Sequence, residues 1–324
     1  MAAAAPGAEP AATALWMEPV DSGLEHRASC LINNFNYAPY VVAAVRSALE
    51  QTRSFAEIIV VDDGSTDDSR ERLRSEFAGD SRVRVVEQEN GGQLSCFHSG
   101  LEASNGDLIF FLDADDVYEP TYLETIEDLY RRQLSCHFVV SAYRTFGREE
   151  GAVQRFPEGR DLGYSAVLAL TRSLAKLWVS PTSTLSMRRA VLERFLPLPR
   201  PEDWRTRADD CLLFGSALAG ARKSYSAAPL VGYRIHGENH WYGREFDGAY
   251  EAEREAALDR LLADLIRRLH LEDLAARAPE EFARIDRPDL RQLRHYGRIA
   301  ARASGSVGDR LGMLGAMARH FSGL

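Results

Sequence analysis

Cysteine is scarce and scattered: Cys30, Cys96, Cys136 and Cys211 stand far apart in 324 residues and form no CxxC pair. That spacing argues against a zinc knuckle or a disulfide scaffold and fits a reducing compartment. Positive charge is short as well, with 39 Lys and Arg against 48 Asp and Glu, a formal −9. Such a chain is repelled by a polyphosphate backbone, so nucleic acid is not an expected partner. Apolar runs such as Leu108 to Leu112 fall far short of the ~20 residues a bilayer core demands. Two phosphate-binding signatures are missing: there is no GxxxxGK[ST], and Leu31-Ile32-Asn33-Asn34-Phe35-Asn36 stands where a GxGxxG would be. A P-loop kinase and an ordinary dinucleotide dehydrogenase are therefore not expected.

What is present is enough chain for about two units at ~150 residues each, and a hydrophobic fraction of 45% to fill them. The Ala- and Pro-rich opening lacks a basic n-region and a continuous apolar stretch, so residues 1–26 are expected to form a disordered leader. Apolar runs bounded by turn residues then recur at Ala28–Ile32, Glu57–Val61, Arg82–Glu87 and Asp107–Leu112. Between the first two, Tyr40, Val41, Ala44, Val45, Ala48 and Leu49 fall at helical spacing. Strands alternating with helices imply βαβ units and a mostly parallel sheet. Ligands of such sheets sit beyond the carboxyl ends of the strands.

Acids cluster at those ends. The second run closes on Asp62-Asp63-Gly64-Ser65-Thr66-Asp67 and the fourth on Asp113-Ala114-Asp115-Asp116. Asp67 and Ser69 read as caps of the next helix. Three carboxylates within four residues repel one another unless a cation sits among them. Hard oxygen ligands without a His/Cys cluster point to Mg²⁺ or Mn²⁺. Asn90-Gly91-Gly92, after the third run, is either a plain turn or a place where backbone approaches a nucleotide closely.

In this order and spacing, Ile32 to Tyr37, Val60 to Asp67, Asn90 to Gln93 and Phe111 to Asp116 resemble family 2 glycosyltransferases. Ala208-Asp209-Asp210-Cys211-Leu212 is similar to the family's Glu-Asp segment, and Tyr233-Arg234-Ile235-His236-Gly237-Glu238-Asn239 to its Tyr-Arg-x-His-x-x-Asn segment. The resemblance covers about residues 28–240. It implies a GT-A fold, a Rossmann-like α/β arrangement with a mixed, mostly parallel sheet and flanking helices, over residues 27–243, followed by a helical extension over 244–324. It further implies a nucleotide-sugar donor, a UDP-sugar first of all, a Mn²⁺ or Mg²⁺ ion, and inversion at the anomeric carbon. Donor-nucleotide contacts are expected from Asn33, Asn36, Asp62, Asp63, Gly92, Asp113 and Ala114, and metal contacts from Asp115 and His236. Asp210 takes the position of the catalytic base. Arg234, Asp209 and Trp204 are candidates for diphosphate or acceptor contacts. The sequence departs from the family at α-helical residues after Asn90-Gly91-Gly92, where Gln93 to His98 lack the usual basic residue.

The chemistry agrees with that assignment. Expelling a nucleoside diphosphate builds charge on the leaving oxygens, which a divalent cation neutralises. The attacking hydroxyl of a saccharide or lipid-linked acceptor must lose a proton, which a positioned carboxylate accepts. Asp209 and Asp210 have a second reading, as acids favoured by a helix N-terminus. His236 has one too, as a structural histidine. A non-catalytic nucleotide-sugar-binding module is the alternative function.

Past about Phe246 the pattern is helical, with Leu258, Leu261, Leu262, Leu265 and Leu269 on one face. Arg287, Arg291, Arg294, Arg298 and Arg302 then align opposite Leu293, Tyr296 and Ile299. This predicts a basic amphipathic helix that either faces solvent, meets a partner protein, or lies on an anionic membrane. The expected location is cytoplasmic, with peripheral contact to the inner membrane face.

Overall fold

The computed structural model describes residues 15–20, 26–171, 180–237, 239, 242–243 and 246–323. Strands β1 (Ala28–Asn34), β2 (Glu57–Asp62), β3 (Val83–Glu87) and β4 (Leu108–Asp113) are all parallel, side by side in the order β3-β2-β1-β4. Helices α1 (Val41–Leu49), α2 (Ser69–Phe77) and α3 (Gln93–Ala103) make the crossovers. β1, β2 and β4 have nearly unbroken apolar runs because both sheet faces are covered, while the edge strand β3 is only half-buried. Cys30, Ile32, Val60, Phe110 and Leu112 face α1 and α4 (Tyr122–Arg132). Leu31, Ile59, Val61, Ile109 and Phe111 face α3 and the helices of the C-terminal half. All four cysteines are buried free thiols.

Beyond β4 the sheet becomes mixed. It continues through β9 (Leu185–Arg188), β6 (Phe138–Gly147) and β10 (Lys223–Ile235) to the two-residue β5 (Val117–Tyr118). β9 is antiparallel to both neighbours, while β6 and β10 run parallel. Two short strands, β7 (Gly151–Val153) and β8 (Arg160–Gly163), pair off this path with β6 and β10. The expected strands are present within two residues at each end. β1 and β4 extend two and one residues further at their carboxyl ends than the apolar pattern predicts, because Asn33 and Asp113 are themselves ladder partners.

Helices α5 (Ala166–Ala169), α6 (Arg189–Phe195), α7 (Ala208–Leu218), α8 (Gly248–Arg268), α9 (Ala278–Phe282), α10 (Leu290–Ala300) and α11 (Val307–Ser322) follow. The predicted leucine face of α8 is real: Leu258, Leu261, Leu262 and Leu265 are buried and Leu269 is half-buried. They share one hydrophobic core with β4, β6 and α7. The basic stripe is shorter than expected. Pro288 and a capping box between Asp289 and Gln292 start α10 only at Leu290, so it carries Arg291, Arg294 and Arg298, while Arg287 and Arg302 lie outside it.

The expected leader also needs correction. Residues 1–14 and 21–25 lie outside the described residues, but Leu15 to Val20 are built into the fold. Leu15 and Trp16 are buried in the core, and the Trp16 ring lies 5.0 Å from Tyr164. Met17 N–H donates to the Gly220 carbonyl at 3.0 Å and Val20 N–H to that of Leu134 at 3.0 Å. Gly220 has φ +76°, and a Cβ there would sit 1.7 Å from the Leu15 carbonyl oxygen, so only glycine admits this segment. Such long-range packing leaves no local signal in an Ala-rich stretch.

The same segment is tied to His137. Arg222 N–H donates to its Nδ1 at 3.2 Å, which leaves the hydrogen on Nε2 for the Glu18 carbonyl at 2.9 Å. Burial first, then Arg188, Arg194 and Arg222, lower its pKa to about 4. Between pH ~6.5 and ~4 the unfolded chain takes up a proton the native state refuses. Stability from this group is therefore complete above pH ~6.5 and falls by about 3 kcal/mol as pH drops to ~4. Urea titrations of His137→Gln should show a flatter fall over that window than the parent; parallel curves would rule the linkage out.

Candidate active site

The carboxyl ends of β1, β2 and β4 open into a cavity of about 350 Å³, walled by Asn33, Asp63, Gly92, Gln93, Asp113 and Asp115 among others. Its floor follows from register. Asn33 and Asp113 are direct partners across parallel strands, so their side chains leave the same face, and Asn33 Nδ2 donates to Asp113 Oδ1 at 2.9 Å. Asn33 Oδ1 is buried there with no protein partner.

Asp62 and Asp63 point in opposite directions. Asp62 ends β2 and is fully buried, accepting from Asn34 Nδ2 at 2.7 Å, Ser65 N–H at 2.9 Å and Arg70 Nε at 2.7 Å. Burial pushes its pKa up, but the bonds from Arg70, Ser65 and Asn34 prevail and hold it below the usual value. The expectation of a nucleotide contact at Asp62 is corrected: it pins the β2–α2 loop. Asn36 is corrected too, since its Oδ1 accepts from the Thr66 and Asp67 amides at 2.8 and 3.3 Å. Asp63, one residue into the loop, reaches the cavity and grips the turn beyond β3. Its two oxygens accept from Gly91 and Gly92 N–H at 2.8 Å each.

At the end of β4 the backbone turns so that Ala114 is buried and its N–H donates to the Asn33 carbonyl at 3.2 Å. Its methyl is part of the core, which corrects the expected donor contact. Burial, then the neighbouring Asp115 carboxylate, push the Asp113 pKa up to about 7. Asp116 is more deeply sunk, and burial together with Asp115 and Asp113 raises its pKa well above the ordinary range. It accepts from Ser183 Oγ at 2.6 Å and Arg234 N–H at 2.9 Å. Asp115 lies 3.1 Å from His236 Nε2, so these two predicted residues do come together. Arg234 does not face the cavity. Its guanidinium is stacked between Tyr40 and Phe146 at 4.9 and 4.4 Å, with Nε on the Asp115 carbonyl at 2.7 Å, so it braces Asp115. Among the described residues no cluster of three ligating side chains forms.

Gln93 joins this end of the sheet to the acidic helix. Its Nε2 donates to Asp113 Oδ1 at 3.1 Å and Thr182 Oγ1 at 3.2 Å, and its Oε1 accepts from Ala208 N–H at 2.9 Å. Asp209 and Asp210 therefore begin α7 next to the cavity. Burial, then Asp210, push the Asp209 pKa up to about 7. Asp210 is buried and clamped by Arg254 of α8, through Nε at 3.0 Å and Nη2 at 2.9 Å, with Arg207 Nε at 3.3 Å. Trp204 is buried in the core and edges a second groove of about 180 Å³ between residues 202–207 and α8. The two cavities share Arg205, Thr206 and Arg207.

The family model for glycosyl transferase family 2 matches residues 29–194. An uncharacterized glycosyltransferase of Nostoc is 34% identical over 71% of this chain and 72% of its own length. The chain belongs to glycosyl transferase family 2. Chondroitin synthase of Escherichia coli is 37% identical over 37% of the chain, which is 18% of that protein. Among solved structures, TarS 1–349 of S. aureus in complex with UDP-GlcNAc aligns with TM-score 0.57 and 16% identity, covering 91% of this chain and 90% of that one. The same fragment with UDP gives 0.55 and 15%, covering 92% of each chain. The protein is a glycosyltransferase with the GT-A fold.

The roles of three residues of this transferase's site were not readable in the sequence. Gln93 closes the Asn90–Gln93 motif without revealing its bonds to Asp113 and Ala208, Arg254 lies 44 positions from Asp210, and Arg205 belongs to a loop without periodicity. Gly92 explains how that loop comes so close. It has φ +88°, and a Cβ would meet the Arg205 Cα at 2.3 Å. Gly92→Ala is expected to lower unfolding free energy by roughly 1–3 kcal/mol. In the same urea titration Gly79→Ala, whose Cβ would meet nothing within 4 Å, should stay within about 0.5 kcal/mol of the parent.

Proposed function

We propose that this transferase moves a sugar from a UDP-sugar, with inversion, to a hydroxyl of a saccharide or lipid-linked acceptor, assisted by a divalent cation. The observation that carries the reading is the joining of Asp113 to the Asp209–Asp210 helix start through Gln93 alone. Donor and acceptor chemistry then meet across one side chain. The solved relatives' complexes with UDP-GlcNAc and UDP support the donor class.

A divalent cation fits the residues present. Asp115 and His236 offer two ligands 3.1 Å apart, Asn33 Oδ1 is a buried acceptor without a partner, and Asp113 and Asp115 repel each other. Mg²⁺ and Mn²⁺ complete such shells with water and substrate phosphates. When bound, the ion neutralises charge developing on the leaving diphosphate. Asn33 and Gln93 orient Asp113, Asp63 fixes the Gly91-Gly92 backbone against the nucleotide, and Arg234 holds the Asp115 backbone. The acceptor hydroxyl's proton goes to Asp210 in this reading, worth typically ~10²–10⁴-fold. Single-step inversion requires no carboxylate nucleophile, unlike retaining chemistry.

One observation favours exchanging the two acids: Arg254 and Arg207 occupy Asp210, while burial raises Asp209 to about pKa 7, close to a working base. The variants separate the roles. Asp210→Asn should abolish turnover while UDP binding, read by thermal shift with Mn²⁺, survives. Near-normal turnover in Asp210→Asn together with a dead Asp209→Asn would transfer the role of base to Asp209.

No helix among the described residues is long and apolar enough to cross a membrane. We infer peripheral contact with an anionic membrane through α10 and α11. Arg291, Arg294 and Arg298 are exposed on α10, and Val307 and Leu311 are 69% and 63% exposed on α11. The full chain should co-sediment with phosphatidylglycerol vesicles at low salt and not with phosphatidylcholine, and Arg291→Glu/Arg298→Glu should remove the binding. Equal binding to both lipids, or none, rejects the membrane in favour of a protein partner or bare solvent.

A further inference from the structure

A nucleoside diphosphate entering this cavity meets Asp63, Asp113 and Asp115. Its own charge must be balanced by more than one divalent ion if it is to bind well beside three carboxylates. The cation that the sequence suggests for this task, Arg234, is unavailable, and the start of α3 offers none. Helix α3 begins Gln93-Leu94-Ser95-Cys96 with no basic residue, and Arg234 is held between two aromatic rings and a backbone carbonyl. Among the described residues lining the cavity, Arg205 and Arg207 supply the side-chain cations.

Their position is built rather than incidental. Gln93 N–H donates to the Arg205 carbonyl at 3.0 Å, so the Arg205 backbone is fastened to the start of α3. Gly92 removes the side chain that would keep it away. Arg260 of α8 grips Asp203 at 2.9 Å, and Arg200 pairs with Asp264, so the loop is anchored on its other flank as well. The Arg205 guanidinium itself is exposed and rests on Asn90, through its carbonyl and side-chain oxygens. Both are neutral acceptors, and a phosphate oxygen is the stronger partner for a guanidinium. Arg207, at φ +60°, instead leans on Asp210.

We propose that Arg205 is the diphosphate-binding side chain of this transferase, taking the place of the basic residue that α3 lacks. The proposal rests on the nucleotide-sugar reading above. Arg205 exchanges Asn90 for the donor's phosphate oxygens, and Arg207 stands between that charge and Asp210. The guanidinium then faces the oxygens on which charge grows as the sugar departs.

The test compares UDP with uridine, at fixed Mn²⁺, by calorimetry. Arg205→Met should weaken UDP about tenfold, the size of one charge-assisted contact, and leave uridine unchanged; Arg205→Lys should recover part of the loss. Because the side chain is exposed, the variant should melt with the parent. Equal losses for UDP and uridine, or no loss for either, would overturn the assignment while leaving the donor reading intact. If the parent binds no member of a UDP, GDP and dTDP panel, the donor reading fails first and this proposal falls with it.

Discussion

Five carboxylates crowd the carboxyl ends of β2 and β4 in the parallel part of the sheet, and their mutual repulsion is the constraint around which the rest of the molecule is arranged. Most are disarmed by neighbours. Asp62 is sunk at the end of β2 under Arg70, Ser65 and Asn34, and Asp63 is occupied by two glycine amides. Asp116 is driven below the surface against Ser183 and the Arg234 amide. Asp113 and Asp115 are left with amides and an imidazole but no guanidinium, and the Asp113 pKa rises accordingly. It is this pair that the proposed cation would balance.

Much of this was legible in the sequence, and the limits of legibility have a physical cause. Strands buried on both faces write themselves as continuous apolar runs, so β1, β2 and β4 could be located within two residues, and the half-buried β3 still carried enough valine to be found. The acids at their ends could be located too, but not their directions. Successive strand residues point to opposite faces, so Asp62 and Asp63 look equivalent in the sequence while one is buried in the fold and the other faces the cavity. Asn36 shows the same ambiguity: at φ +59° its side chain turns back on the loop it helps to close. Trp16 and Arg254 were illegible for a different reason. Each acts on residues far along the chain, and nothing in the local pattern of an Ala-rich opening or an exposed helix face marks a distant partner.

The helical tail packs on the catalytic part of the chain, as its leucine face leads one to expect. Leu258, Leu261 and Leu265 of α8 lie in the same core as Phe111 of β4 and Phe214 of α7. On the other side of that interface, α8 sends Arg254 to Asp210, Arg260 to Asp203 and Asp264 to Arg200. Arg260 and Arg200 are 43% and 39% exposed, so their bridges add little stability individually, whereas the Arg254–Asp210 pair is largely buried and costly to break. Their common effect is geometric, since all three end on residues 200–210.

That segment carries both parts that the sheet cannot supply. The strand ends line the cavity with acids, amides and aromatic rings but no guanidinium, so in the proposed reaction the guanidinium groups and the base carboxylate come from elsewhere in the chain. Residues 205–210 bring them in. Gly92 and Gln93 hold the segment on the donor side, and α8 holds it on the other. A loop clamped from two sides has few ways to move without breaking a buried contact, which is how a group on irregular backbone can be held to the tolerance that group transfer requires. The tail thus fixes one wall of the cavity against the sheet that forms the other.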